Sequence, residues 1–307
     1  MKNLIKDLIF LIIFIILFAI CSNIFVLKGN GFGSDVTSFY NLEKNSLDII
    51  FFGSSHSYST FNPELIEKES GLKSYNFATQ QQPIQITYYY MVEALKTQKP
   101  KYFVLESHML TLDYDYAEEG TIRDALDKMK PSLNKFNAIN TAVKNKEDRA
   151  SYYINIIKYH SRYKELTTTD IKEGLLQKGI DNNGYISLES KPEVMIDNKK
   201  ILKQNSKKEI YYKNIEYLNK IIELAKENNI ELILVKTPCQ MTDETQAKVN
   251  WLVEYSEENN LLFIDYNRKI KELNIQRGDF YDIGHLSGTG ADKVSKNFAN
   301  NIQNKER

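Results

Sequence analysis

Apolar residues form a nearly unbroken run close to the start of the chain. From Leu8 to Leu27 all but two residues are apolar, and Lys2 and Lys6 precede the run. About 20 such residues match the thickness of the hydrocarbon core of a bilayer. Basic residues on the N-terminal side favour a cytoplasmic N-terminus. The pattern predicts that residues 1–28 anchor a single-pass protein in the cell membrane and that the remaining chain is extracytoplasmic.

A cleaved signal is the alternative for this segment. A signal peptide has a shorter apolar region and small residues at its cleavage site, whereas this run is long and bulky. Cys21 would suit a lipoprotein signal. Such signals have a small residue directly before the cysteine, but here that residue is Ile20. We therefore predict an uncleaved anchor.

Beyond the anchor, short apolar runs alternate with amphipathic segments. Residues 29–46 are mostly polar and contain three glycines, which predicts a flexible linker. Short apolar runs and helical patterns with capping residues then follow one another, and this alternation predicts a parallel α/β sheet. The predicted strands are 47–52, 74–77, 102–105, 230–235 and 261–265, and the predicted helices are 62–71, 83–97, 206–228, 243–258 and 287 to the C-terminal end.

The alternation lapses in the middle of the chain. From about 110 to 205 the sequence has amphipathic helical stretches and loops without a convincing buried strand. A segment of that length seldom remains without structure in a compact domain. We predict one domain over 47–307 with a helical insertion at about 110–205, and a lid over the pocket is one hypothesis for the insertion.

Composition narrows the classes of function. Lys+Arg and Asp+Glu are both 40, so the net charge is zero, and we find no basic stripe of the kind that binds nucleic acid. We predict no nucleic-acid partner. Cys21 lies in the membrane run, which leaves Cys239 without a disulfide partner. The four histidines are scattered along the chain, so we predict no metal site and no cofactor.

Two motifs carry the candidate chemistry. Gly53-Ser54-Ser55-His56-Ser57 follows the first predicted strand and precedes a helix, at the edge of the sheet where open α/β folds bind ligands. An ordinary strand-to-helix loop is the simpler interpretation of this motif alone, at roughly two to one. Asp282-Ile283-Gly284-His285-Leu286-Ser287 precedes the last helix, and there a carboxylate could orient a histidine that deprotonates a serine. Alternatively, Asp282 only precedes a helix cap and His285 is a surface residue.

Together the motifs resemble the SGNH/GDSL hydrolase superfamily. A strand ending in Gly-x-Ser and an Asp-x-x-His-Leu-Ser before the last helix are similar to its first and last blocks. Ser54 replaces the aspartate common in the first block, as in the branch of the D-alanyl transfer and alginate O-acetylation proteins. The resemblance covers roughly 47–107 and 206–303. It implies a three-layer flavodoxin-like parallel sheet.

The resemblance also implies roles for individual residues. Ser55 would be the nucleophile, His285 the general base and then acid, and Asp282 its orienting partner. The backbone of Ser55 and Ala78 would hold the oxyanion. The asparagine of the third block is missing here, and Asn76 or a neighbouring glutamine could act as the side-chain donor instead.

Four further residues are candidates for substrate binding. His56 follows the nucleophile, Gln81 lies after the second predicted strand, and Glu106 and His108 follow the third. Two of them have an ordinary structural alternative: His56 could be inert at a helix entry, and the Glu106 carboxylate at a strand end could simply cap or pair.

The family resemblance implies two kinds of function. The first is a serine O-acyltransferase or esterase that acts through an acyl-enzyme on cell-wall or surface polysaccharide esters, with a membrane-bound O-acyltransferase as a possible partner. The second is a non-catalytic protein of the same fold that binds a glycan or serves as a scaffold for such a membrane acyltransferase. The missing third-block asparagine keeps the second hypothesis open.

Overall fold

A five-stranded parallel sheet forms the centre of the computed structural model, which describes residues 2–26, 36–113, 118–176, 182–194 and 196–306. The strands are β1 Ile49–Phe52, β2 Ser74–Asn76, β3 Tyr102–Glu106, β4 Glu231–Lys236 and β5 Leu262–Asp265. Their order in the sheet is β2-β1-β3-β4-β5, and every neighbouring pair is parallel. The α/β class with a parallel sheet is therefore confirmed, and each predicted strand overlaps an observed one.

Helices connect and flank the strands. Asn62 accepts a hydrogen bond from the Leu65 N–H at the start of the helix Pro63–Ser70, and Thr242 does the same for the Thr245 N–H at the start of the helix Asp243–Glu258. Such caps satisfy N–H groups that have no partner inside the helix. The helices are α1 Lys2–Phe25, α2 Ser55–Tyr58, α3 Pro63–Ser70, α4 Ile84–Ala94, α5 Glu119–Leu126, α6 Leu133–Ala142, α7 Arg149–Tyr153, α8 Ile156–Tyr159, α9 Thr168–Leu176, α10 Tyr212–Glu227, α11 Asp243–Glu258 and α12 Gly288–Glu306.

The sheet is buried on both faces. Alternate side chains of a strand point to opposite sides, so Ile50 and Phe52 join the core that contains Tyr90 of α4. Ile49 and Phe51 join a second core that contains Phe298 of α12. Burial on both sides explains why the strands are continuous apolar runs rather than alternating ones.

The N-terminal helix is as apolar as its sequence predicts. Its segment Asn3–Phe25 has 23 residues and a mean hydropathy of 3.0, so it is long and apolar enough to cross a membrane. The large side chains from Leu4 to Phe18 are exposed, which leaves them available to lipid. The orientation of this helix across a membrane stays a prediction.

The packed domain begins earlier than the predicted boundary at residue 47. A 3₁₀ helix, Val36–Asn41, buries Val36 and Phe39, and the Phe39 ring stacks on Phe77 with centroids 4.0 Å apart. The Ser46 N–H donates to Gln98 Oε1 over 2.9 Å. Apolar side chains three residues apart suffice to dock this stretch, so residues 36–46 are part of the domain and not a flexible linker. The earlier part of the predicted linker lies outside the described residues.

The segment between β3 and α10 is helical in the parts that the structure describes. Helices α5 to α9 and short 3₁₀ turns occupy it, without a strand among its described residues. Its last part returns to the edge of the sheet, where the Asn76 N–H donates to Asn183 O over 2.8 Å and the Ile186 N–H to Tyr58 O over 2.9 Å. The segment therefore contacts the elements that carry the Gly53–Ser57 motif.

Candidate active site

Ser55 stands at a sharp turn between β1 and α2. Gly53 has a φ of +134°, and a Cβ at this position would lie 3.1 Å from the Glu106 Cβ and 3.2 Å from its carbonyl oxygen. A side chain would therefore be both strained and crowded there. Glycine allows the chain to leave the carboxyl end of β1 and start a helix at once, which sets Ser55 at the edge of the sheet.

Two loops that are far apart in sequence meet at this edge. The Ser55 Oγ lies 2.8 Å from the His285 Nε2, across a separation of 230 residues. The His285 Nδ1 lies 2.9 Å from Asp282 Oδ1 and 3.0 Å from Oδ2. A carboxylate only accepts hydrogen bonds, so Nδ1 carries the proton and Nε2 is left to accept one from the Ser55 hydroxyl. The three side chains form one continuous hydrogen-bonded chain.

The loop before α12 holds the imidazole in place. Asp282 Oδ1 also accepts from the backbone N–H groups of Gly284 and His285, over 2.7 and 2.8 Å. Phe280 and Leu286 pair as an antiparallel bridge beneath this turn. The backbone of the loop thus fixes the Asp282 carboxylate. That carboxylate in turn orients the His285 ring through local hydrogen bonds.

The Ser55–His285–Asp282 chain is open to solvent. The His285 side chain is 23% exposed and the Asp282 side chain 44%. Ser55 itself is partly buried at the start of α2. The site therefore lies at the surface of the domain.

Two more histidines lie beside His285. The rings of His56 and His108 stack with centroids 3.9 Å apart and 17° between their planes, and the His56 ring lies 4.8 Å from that of His285. Burial holds the pKa of both His56 and His108 well below the usual value. Nearby positive charge lowers the pKa further, from His108 and then Lys236 for His56, and from Lys236 for His108. Both rings are therefore neutral near pH 7. The absence of a metal site was predicted because the histidines are scattered along the sequence. In the structure, His56, His108 and His285 nevertheless lie side by side.

A metal ion could be held near these rings only after they turn. One ligand atom each from His56, His108 and Cys239 lie within 4.8 Å of one another. The lone pairs of imidazole lie in the ring plane, so two nearly parallel stacked rings do not point at one ion. Burial also raises the pKa of the Cys239 thiol, whereas a metal requires the thiolate. The donor types suit a zinc-like ion, but as they stand they do not converge.

Glu106 lies at the predicted strand end, inside a buried polar network. Its carboxylate is buried, accepts from the His108 N–H over 3.0 Å and from the Thr237 hydroxyl over 3.1 Å, and lies 3.6 Å from Lys236 Nζ. A buried charge is stable only when it is compensated. Glu106 therefore ties β3 to β4, which is the capping or pairing alternative for a carboxylate at a strand end. Its part in substrate binding stays a prediction.

The predicted oxyanion donors differ in what surrounds them. The Asn76 amide donates to the Phe61 carbonyl over 2.7 Å, and its Oδ1 accepts from Ser57 Oγ at 3.4 Å. This fully buried side chain fastens β2 to the loop between α2 and α3, where it supplies a donor to the Phe61 carbonyl. Ala78 is also fully buried, just after β2. Its part in an oxyanion hole, and that of the Ser55 N–H, stay predictions.

One predicted candidate, Gln81, remains, and two further residues near the site were not predicted from the sequence. Gln81 is exposed in the turn after β2 with a φ of +44°, and its substrate role stays a prediction. Lys236 and Thr237 were missed, yet they end β4 beside Glu106, and the Thr237 Oγ1 lies 3.4 Å from His56 Nδ1. The sequence did contain a signal for Lys236, because this lysine directly follows the apolar run of β4. A charged residue at the end of a buried strand needs a partner at the same edge of the sheet.

Comparisons with known proteins are limited. Residues 185–306 are similar to an uncharacterised protein family. This match includes Asp282 and His285 and does not extend to Ser55. No curated protein matches the chain.

Proposed function

We propose that this chain is a membrane-anchored, extracytoplasmic serine O-acyltransferase or esterase of the SGNH type. The observation that carries the proposal is the 2.8 Å contact between the Ser55 Oγ and the His285 Nε2, with His285 in turn hydrogen-bonded to Asp282. A serine, a histidine and a carboxylate linked in this order are the recognised arrangement for acyl transfer. The strand order β2-β1-β3-β4-β5 with helices on both faces supports the three-layer flavodoxin-like form of that fold.

In the first half-reaction His285 acts as the base. The Ser55 Oγ attacks the ester carbonyl while Nε2 takes its proton, and Asp282 stabilises the resulting imidazolium. Backbone N–H groups of Ser55 and Ala78 would hold the oxyanion that develops. The tetrahedral adduct then collapses, Nε2 returns the proton to the leaving alkoxide, and an acyl-Ser55 ester remains.

In the second half-reaction an acceptor takes the acyl group. His285 removes a proton from the acceptor hydroxyl, which attacks the acyl-Ser55 carbonyl. Nε2 then protonates Ser55 Oγ as it leaves, so the enzyme is restored. Water as acceptor makes the protein an esterase, and a sugar hydroxyl makes it a transferase. The solvent-exposed site suits a polymer acceptor.

The anchor suggests where the substrate lies. A domain tethered beside the extracytoplasmic face of the cell membrane reaches cell-wall polymers and surface polysaccharides. A membrane-bound O-acyltransferase that delivers the acyl group across the bilayer would be its partner. Both assignments follow from the family resemblance together with the apolar helix α1.

A serine-reactive probe tests the catalytic proposal. A fluorophosphonate should label the wild-type protein, and Ser55→Ala should abolish the labelling and lower ester turnover by about 10⁴-fold or more. Ser161→Ala, which changes an exposed serine of the insertion, should label as the wild type does. Labelling that persists in the Ser55→Ala protein would contradict the proposal.

A non-catalytic scaffold is the second candidate. It is favoured by the position after β3, where Glu106 and His108 replace the family's asparagine, and by the use of the Asn76 amide within the fold. Such a protein would hold a glycan or a membrane acyltransferase at the same edge of the sheet. A folded wild-type protein that the probe leaves unlabelled would support this candidate over the enzyme.

A further inference from the structure

The last turns of α1 are packed against the domain. Side chains of α1 are exposed from Asn3 to Ala19, and from Ile20 to Phe25 all but one are partly covered. The helices that cover them are α8, the 3₁₀ helix His160–Lys164 and α9. The backbones come close together, since a Cβ at Gly174 of α9 would lie 2.7 Å from the Ile24 Cα.

Arg162 links the C-terminal end of α1 to α9 through polar contacts. Its guanidinium donates to the Phe25 carbonyl at the C-terminal end of α1 and pairs with Asp170 of α9 over 3.1 Å. Carbonyl groups in the last turn of a helix have no partner within the helix, and a cation there is favourable. The position of α9 relative to α1 therefore depends on polar contacts as well as on packing.

The contact of α1 with α8, the 3₁₀ helix His160–Lys164 and α9 determines how deep these helices of the insertion lie relative to a membrane. The 23 residues of Asn3–Phe25 extend about 34 Å, slightly more than the roughly 30 Å of a hydrocarbon core. If α1 spans the bilayer, its covered turns lie where the acyl chains meet the head groups. The helices that touch these turns lie at the same depth.

These helices present apolar side chains to the outside. Ile157 of α8 is 48% exposed and Tyr163 of the 3₁₀ helix 62%. On α9, Ile171 is 44% exposed and Leu175 57%, and residues four apart share one face of a helix. The Lys164 ammonium lies 5.4 Å from the centre of the Tyr163 ring, and aromatic rings beside lysines are typical of membrane interfaces.

We infer that Ile157, Tyr163, Ile171 and Leu175 form a lipid-docking face that rests in the interface of the leaflet reached by the C-terminal end of α1. The inference depends on the anchoring in the proposed function but not on the catalytic chemistry. The occupant is the bilayer and not a protein, because α1 itself carries these helices to lipid depth. The domain is then held against the membrane at a set orientation.

Quenching by brominated lipids tests this face in the full-length protein. Trp251→Phe removes the single native tryptophan, and Tyr163→Trp then places one on the proposed face. Tyr212→Trp is the matched control, since Tyr212 is 64% exposed on α10, which packs on α4 and β4. Phe14→Trp in the middle of α1 reports the anchoring. Each protein is reconstituted in nanodiscs of phosphatidylcholine with or without bromine on the acyl chains.

The outcomes separate the inference from the anchoring. We expect bromine to reduce the emission of the tryptophans at 14 and 163 at least twofold more than that of the tryptophan at 212. Quenching at 14 with equal, weak quenching at 163 and 212 would overturn the lipid-docking face, leave the anchor intact and favour a protein partner for this surface. Weak quenching at all three positions would refute the anchoring as well.

Discussion

The imidazole of His285 depends on one carboxylate for both its tautomer and its direction. Asp282 reaches the His285 Nδ1 and also the backbone N–H of His285, so a neutral amide in its place would keep the loop bonds and lose the charge. We expect Asp282→Asn to lower ester turnover by about 10⁴-fold, because an amide can present its NH₂ to Nδ1 and stabilise the wrong tautomer.

The measurement is kcat with a small activated ester. Asp197→Asn, an exposed aspartate on a loop, should keep wild-type activity. A fall of less than tenfold in the Asp282→Asn protein, with its fold intact, would mean that Asp282 does not orient the catalytic base.

The stacked histidine pair predicts how stability depends on pH. Burial holds the pKa of His56 and His108 below that of the unfolded chain, about 6.5. As the pH falls below that value, these histidines bind protons in the unfolded state but not in the folded state, so the free energy of unfolding decreases. Each ring can contribute at most about 1.4 kcal/mol per pH unit.

Urea unfolding in mild detergent at pH 7.5 and 5.5 tests this dependence. The wild type should lose stability at the lower pH, and His56→Gln or His108→Gln should lose less. His160→Gln, at an exposed histidine of the insertion, should lose as much as the wild type. Equal losses in all four proteins would contradict the assignment of buried neutral rings.

At the scale of elements, the turn from β1 into α2 is a tightly constrained junction beside the site. Ala at position 53 would meet Glu106 and would have to adopt a φ that favours glycine. We expect Gly53→Ala to cost about 1–3 kcal/mol of unfolding free energy and to lower activity, since Ser55 follows two residues later.

A glycine in open space is the control for this turn. A Cβ at Gly120 of α5 meets nothing within 4 Å. Gly120→Ala should leave the free energy of unfolding unchanged or raise it by up to about 1 kcal/mol. Both variants are compared by urea unfolding. A Gly53→Ala protein as stable and as active as the Gly120→Ala protein would contradict the account of this turn.

The secondary structure elements follow the sequence pattern closely, and the exceptions have local causes. Helix α11 matches its predicted bounds, whereas α10 begins at Tyr212 rather than at 206. The residues before it run along α11, where the Lys208 N–H donates to the Ala247 carbonyl. Ile210 is buried in this extended stretch, so its apolar character reflects packing and not helical periodicity.

For the whole molecule, α1 distinguishes an anchored protein from a secreted one. We expect the intact chain, including residues 1–26, to stay in the membrane fraction after alkaline carbonate extraction. A protease added outside the cells should digest the domain but leave a cytoplasmic marker untouched. Release of a shortened soluble chain would show that α1 is a cleaved signal. A protected domain would show the opposite orientation.

The sequence by itself determined the elements of this protein. Apolar runs of strand length, cap residues and a long apolar N-terminal segment depend on neighbours within a few residues, so the α/β class, the parallel sheet and the apolar helix could be predicted. Both motifs of the candidate site could also be found, because Gly53, Ser55, Asp282 and His285 stand at element ends that the pattern already located.

Only the tertiary structure decided what surrounds Ser55. The stacking of His56 on His108, the buried pair of Glu106 with Lys236 and the use of the Asn76 amide join residues that are far apart in the sequence. Such contacts depend on strand order and on which buried groups lack a partner, and neither is encoded over a few residues. The docking of 36–46 and of α9 on α1 has the same cause, since both depend on surfaces that exist only after the chain has folded.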